Sequence, residues 1–111
     1  MNQQMTIDDA IHQGKMAAMA SSLKADKEMP DWSTGAAILF VQFADEVAKG
    51  QPFLMEDARE WAERGGWPSP PDRRAWGHVV RAMKVAGRVV SCGFGRARTS
   101  NGSPKVLWKL A

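Results

Sequence analysis

Residues 70–87 read PPDRRAWGHVVRAMKVAG and pass directly into RVVSCGFGRA at 88–97, and the hydrophobic period changes at the join. At about 100° per residue, Trp76, Val79, Val80 and Met83 fall on one side of a helix. Arg74, His78, Arg81 and Val85 fall on another, with Arg73 and Lys84 flanking them. Ser69-Pro70-Pro71-Asp72 opens that helix, with Ser69 as cap, proline in the first turn and Asp72 at the third position. Gly87 closes it. Beyond Gly87 the period drops to two. Val90, Cys92 and Phe94 alternate on one face, and Val106, Trp108 and Leu110 do so in KVLWKL at 105–110. The intervening RTSNGSP contains Asn101-Gly102, a strong hairpin signal. Residues 70–110 are therefore expected to form an amphipathic helix followed by a two-stranded hairpin.

Upstream, STGAAILFVQFADEVAK at 33–49 is the strongest helix, with Ser33 able to cap it and Gly50 to end it. Ala36, Phe40, Phe43, Ala44 and Val47 form its buried stripe, and Ile38, Leu39 and Val41 add apolar surface around it. QPFLM at 51–55 is a short extended piece. EDAREWAERGG at 56–66 follows as a second helix, whose leading acids suit the helix dipole and whose paired glycines stop it. GWPSPP is a rigid connector. At the other end, TIDDAIHQGKMAAMASSLKA at 6–25 begins with a variant capping box, Thr6 and Asp9. Ile7, Ile11 and Ala18 share one side of it, and Met16, Met19 and Leu23 another. Stripes so thin suit a peripheral arm or a dimer-forming helix better than a central element. ADKEMPDW is a polar connector, so residues 1–30 read as arm and linker and 31–111 as the domain.

A chain of 111 residues supports one modest core. No run reaches the roughly eighteen apolar residues of a membrane span, and MNQQMTIDDAIHQGK has no basic segment leading into an apolar one, so neither a membrane anchor nor a secretory signal is expected. Cys92 is alone, which excludes an internal disulfide and a zinc site built on cysteines. A reducing cytoplasm is the simplest location. Charge is divided unevenly. Residues 1–71 carry eleven acids and six bases, a net −5, whereas residues 72–111 carry nine bases and Asp72 alone, a net +8. That asymmetry points to a polyanionic partner for the C-terminal half.

Helix, short strand, helix, helix and β-hairpin is an order that resembles a winged helix-turn-helix domain, and residues 33–110 carry the resemblance. The segments DWSTGAAILFVQFA, FLMEDAREWAE, PPDRRAWGHVVRAMKVAGRVV and SPKVLW are also similar to small winged-helix proteins of bacteriophages and prophages. The resemblance implies an α+β, mainly helical fold with a C-terminal hairpin as wing and an N-terminal helical arm. Residues 56–64 then match the first helix of the pair, 70–86 the recognition helix and RTSNGSPK the wing tip. GGWPSPP departs from the pattern, being longer and richer in proline than a simple turn. Double-stranded DNA is the implied partner, in transcription regulation or DNA replication. Winged helices also bind proteins, so the alternative is engagement of a host or replication protein without DNA contact, and a homodimer through the N-terminal helix is compatible with both.

Residue types support the DNA expectation. A helix fits the major groove, where Arg forms paired hydrogen bonds with guanine. Arg73 and Arg74 lie at the end that enters the groove, with His78 on the same side, while Arg81 and Lys84 lie further along, toward phosphates. Arg96, Arg98 and Lys105 flank the hairpin tip. Gly77, inside the helix, costs about 1 kcal/mol relative to Ala, and is explained either by close approach of a phosphate backbone or another helix or by tight packing on the second helix. Other chemistry is poorly provided for. His12 and His78 have no companion at metal spacing, Cys92 reads as an inert thiol, and Gly93 and Gly95 lack a P-loop lysine or a following helix. Adjacent helix positions such as Glu56 and Asp57 do not face one another. Neither enzyme activity nor a cofactor or metal is expected. Trp61, Trp76 and Trp108 read as core, and Trp32 and Trp67 as staples for the connectors.

Overall fold

The apolar stripe after Trp32 folds as a helix and the other elements pack around it. The computed structural model describes residues 19–21, 23–96 and 104–111. Helix α1 (Trp32–Gln42) runs into a π-helical turn at Phe43–Val47. Strand β1 (Phe53–Leu54) leads into α2 (Met55–Arg64), which is followed by α3 (Arg74–Val85), β2 (Val89–Arg96) and β3 (Pro104–Leu110). Residues 23–28 are also helical. The described residues thus form an α+β fold of four helical segments and one antiparallel three-stranded sheet. The readings of residues 6–18 and of the Asn101-Gly102 turn lie outside the described residues.

Sheet order is β1-β3-β2, so the last strand of the chain is the central one. Phe53 stands opposite Trp108 on one side of it, and Val89 opposite Leu110 on the other. These side chains face the helices. Phe40, Phe43, Ala44, Phe53, Ala58, Val80 and Val89 make one buried cluster, on which Trp108 and Leu110 pack. A second cluster joins Ala25, Trp32, Ala36, Ala62, Ala75, Trp76 and Val79. Met55 and Trp61 touch both.

Several local expectations are corrected. Val47 is 47% exposed although Phe43 and Ala44 are buried. The Ala48 N–H donates to the Phe43 carbonyl five residues back, at 2.9 Å. That wider turn rotates Val47 off the stripe a regular helix would keep. Ser33 does not cap α1. Asp26, from the preceding helical segment, accepts the Ser33 backbone N–H at 2.8 Å and its hydroxyl at 2.7 Å. Residues 25–32 are accordingly no mere connector: 23–28 are helical, Ala25 is fully buried and Met29 packs on the core.

The start of α3 is also displaced. It begins at Arg74 rather than Pro70, and Ser69 donates its hydroxyl to the Glu63 carboxylate at 2.9 Å, back toward α2. The residue before a proline is pushed out of helical conformation, which disfavours a helical Pro70 ahead of Pro71. Asp72 takes over the capping role, accepting the Arg74 backbone N–H at 2.9 Å.

In the hairpin, a register shift between Ser91 and Phe94, with Gly93 at φ 125°, breaks the simple alternation. Val89 is the buried residue of β2, and Val90 and Phe94 are exposed. Cys92, half-buried, donates its thiol to the Leu107 carbonyl at 3.5 Å.

The tryptophans hold the connectors to the core. Trp32 is fully buried, not peripheral, and its ring meets that of Trp76 edge-on at 5.4 Å. Its indole N–H donates to the Pro68 carbonyl at 2.8 Å. Trp67 lies over Gly35 of α1, so closely that any Cβ at Gly35 would occupy the space of the Trp67 benzo ring. Gly35→Ala is therefore expected to displace Trp67 and to destabilise the protein by about 1–3 kcal/mol, despite alanine's better helix propensity. Urea unfolding followed by tryptophan emission measures this, and an unchanged midpoint would mean that the Trp67 contact is dispensable.

Candidate nucleic-acid interface

Helix α3 buries Ala75, Trp76, Val79 and Val80 and turns its other side outward. Arg73, just before the helix, and Arg81 and Lys84 within it are exposed. At about 100° per residue these three and Gly77 occupy one sector about 80° wide. Gly77 lies in the middle of it. A Cβ built there meets nothing within 4 Å, so packing on α2 does not account for this glycine. His78 is half-buried at the edge of the face, beside Val85, which is 83% exposed.

Arg74 behaves differently from its neighbours. Its Nε and Nη2 both donate to Asp72 Oδ2, at 2.9 and 2.6 Å, while its backbone N–H donates to Oδ1. The hydrogen bonds from the Arg74 side chain, then that from its backbone, hold the Asp72 carboxyl well below the usual carboxylate range, and the Ser21 hydroxyl adds to the effect. In return, Asp72 raises the Arg74 guanidinium further above its usual value. Arg74 is thus oriented at the helix start by a carboxylate two residues away, and any other anion must compete with Asp72 for it. This coupling is hidden from a helical reading, because it needs residue 72 to stand outside the helix.

The hairpin cations divide between two faces. Arg96 is exposed opposite Pro104, on the side of Phe94, whereas Lys105 is exposed opposite Gly95, on the other side with Lys109. The structure therefore does not bring Arg96 and Lys105 together on one face. Arg98 lies outside the described residues. Arg88, directly after the Gly87 turn, and Lys109 are further exposed cations of this half that the motif reading left aside. Among the described residues, the exposed surface of α3 and the hairpin carries no carboxylate except Asp72.

No family model, curated protein or solved structure matches the chain. No helix among the described residues is long and apolar enough to cross a membrane.

Two outcomes are expected from this geometry. With nothing near its Cβ direction, Gly77→Ala gains helix propensity at no steric cost, and should raise stability by about 0.5–1 kcal/mol in thermal unfolding. Destabilisation would mean that the site is not open. Asp72 has a folded pKa below its unfolded value, so its contribution to stability is complete above the ordinary carboxylate pKa of about 3.9. That contribution is lost as pH falls from there through the depressed folded value. In a carboxyl-carbon NMR titration, Asp72 should titrate below the other aspartates, and Arg74→Ala should return it toward the usual range. A normal Asp72 midpoint in the wild-type protein would contradict the pair.

Proposed function

We propose that the chain is a winged helix-turn-helix protein that binds double-stranded DNA with the outward face of α3. The observation that carries this reading is the cationic sector of Arg73, Arg81 and Lys84 around Gly77, open where a side chain would otherwise keep a partner's backbone at a distance. The element order supports the winged-helix assignment, as does the short β1 joined to the central β3 of the hairpin. In this reading α2 and α3 form the helix-turn-helix pair and β2–β3 is the wing. Arg73, at the leading end of α3, enters the major groove with Arg74 beside it. Arg81 and Lys84 neutralise phosphates, giving affinity without sequence information. His78 borders the contact. Arg96 and Lys105 offer phosphate contacts from opposite faces of the wing, and Arg98 follows Arg96 in sequence toward its tip. Transcription regulation or DNA replication is the role implied.

A protein-binding role has its own supporting observation. Ala37, Ile38 and Val41 of α1 line a groove of about 520 Å³ with Met83 and Arg88, and Ile38 is 63% exposed beside it. Such apolar surface is the usual material of a protein interface.

Titration of labelled duplex DNA at several salt concentrations, followed by fluorescence anisotropy, separates the two readings. DNA contact by α3 predicts binding that weakens steeply with salt. Arg73→Ala and Arg81→Ala should each cost about 1–3 kcal/mol of affinity, and Lys84→Ala should lower the salt slope by about one. Gly77→Ala should weaken binding even as it stabilises the fold. Unchanged affinity across these variants would remove α3 from the interface. Absence of duplex binding at low salt would leave the protein-partner reading.

A further inference from the structure

Phe94 is 75% exposed, a phenyl ring standing in solvent. Its direction is set by backbone, because regular alternation from Ser91 would place Phe94 opposite Lys105, on the outer face of the sheet. The register shift, made possible by Gly93 at φ 125°, places it opposite Val106 instead. Bulges of this kind re-aim side chains. Phe94 thereby joins the face of Ser91, Val106 and Trp108, which the helices cover further along the strands and which, among the described residues, they leave open at this end. Arg96 is exposed two residues on, hence on the same face, and Lys105 stands across the hairpin on the reverse side. From Arg73 to the C-terminus the chain has no acidic residue at all. An aromatic ring in so one-sided a charge field matches a partner that is both polyanionic and flat-faced, which a nucleobase on its phosphate chain is and an apolar peptide is not.

Within an intact duplex the faces of the bases are already covered by their neighbours. A ring carried on a strand stacks most readily on a base that has left that arrangement. We propose that Phe94 stacks on an unpaired base of DNA, with Arg96 at the adjoining phosphate, so that the chain prefers a junction of duplex and single strand over blunt duplex. The proposal rests on the reading of α3 as the duplex-binding face, since α3 would hold the paired side of such a junction.

The test compares a blunt duplex with the same duplex carrying an unpaired single-stranded extension, using the full chain and anisotropy at fixed salt. A copy with 2-aminopurine as the first unpaired base reports stacking directly. Wild-type protein should bind the extended DNA about tenfold more tightly than the blunt one and quench the 2-aminopurine. Phe94→Ala should abolish the preference and the quenching, leave blunt-duplex affinity in place and, the ring being exposed, leave thermal unfolding unchanged. Phe94→Leu, which keeps apolar bulk without an aromatic face, should behave like Phe94→Ala. Equal wild-type affinity for the two DNAs would overturn the proposal while leaving the α3 reading intact, as would a preference that survives in Phe94→Ala. A loss spread equally over both DNAs would also overturn it, as a general contact rather than stacking. No binding to either DNA would overturn both readings at once.

Discussion

The edge-on contact of Trp32 with Trp76 is the joint on which the rest of the fold depends. Trp32 opens α1 and Trp76 lies in the first turn of α3, so the contact fixes the two helices to each other at full burial. The Trp32 N–H, bonded to the Pro68 carbonyl, ties the intervening connector to the same point. Trp67 lies on Gly35 a few residues along. In a short helix-turn-helix the turn itself sets the angle between helices; here a long, proline-rich segment connects α2 to α3, and α1 sets their arrangement from outside. The orientation of the cationic face of α3 is therefore a property of a helix that contributes no residue to it. Among the described residues, the indole N–H groups of Trp67 and Trp76 are buried with no acceptor.

Much of this was legible in residue spacing, and the exceptions have identifiable causes. The buried side of α3 follows from its period alone, because Trp76, Val79 and Val80 leave no second apolar face to choose. Neighbouring prolines moved the start of that helix, and a π turn moved Val47. The Asp26 cap and the burial of Ala25 depend on how one segment lies against another, which no local pattern records. Pairing of β1 with β3 is equally non-local, joining Phe53 to a tryptophan more than fifty positions away. Of the candidate site, the helical period grouped Arg74, His78 and Arg81 with Arg73 and Lys84 flanking, and it did not reveal that Asp72 holds the Arg74 side chain. The split of Arg96 from Lys105 was not legible either, since a single bulge exchanges the faces of every residue beyond it.

Arg73 and Arg74 are neighbours in sequence but are placed in different electrostatic situations. Arg73 stands exposed at the start of the helix, while Arg74 is held by two bonds to a carboxylate that also caps the helix. One acidic residue in an otherwise basic half thus performs two tasks: it begins the helix where the prolines end, and it restricts the geometry of the arginine that follows. Helix initiation and the arrangement of the surface are coupled through Asp72, so neither can be altered independently at that position.

The Trp32–Trp76 joint has a spectroscopic consequence as well. Two indoles 5.4 Å apart and inclined by 80° are close enough for their excited states to mix, so the pair contributes its own circular-dichroism couplet in addition to the signals of single rings. That couplet is an optical marker of the α1–α3 alignment, located in the core and away from the exposed cations. It allows a change in the framework to be told apart from a change at the surface without any label.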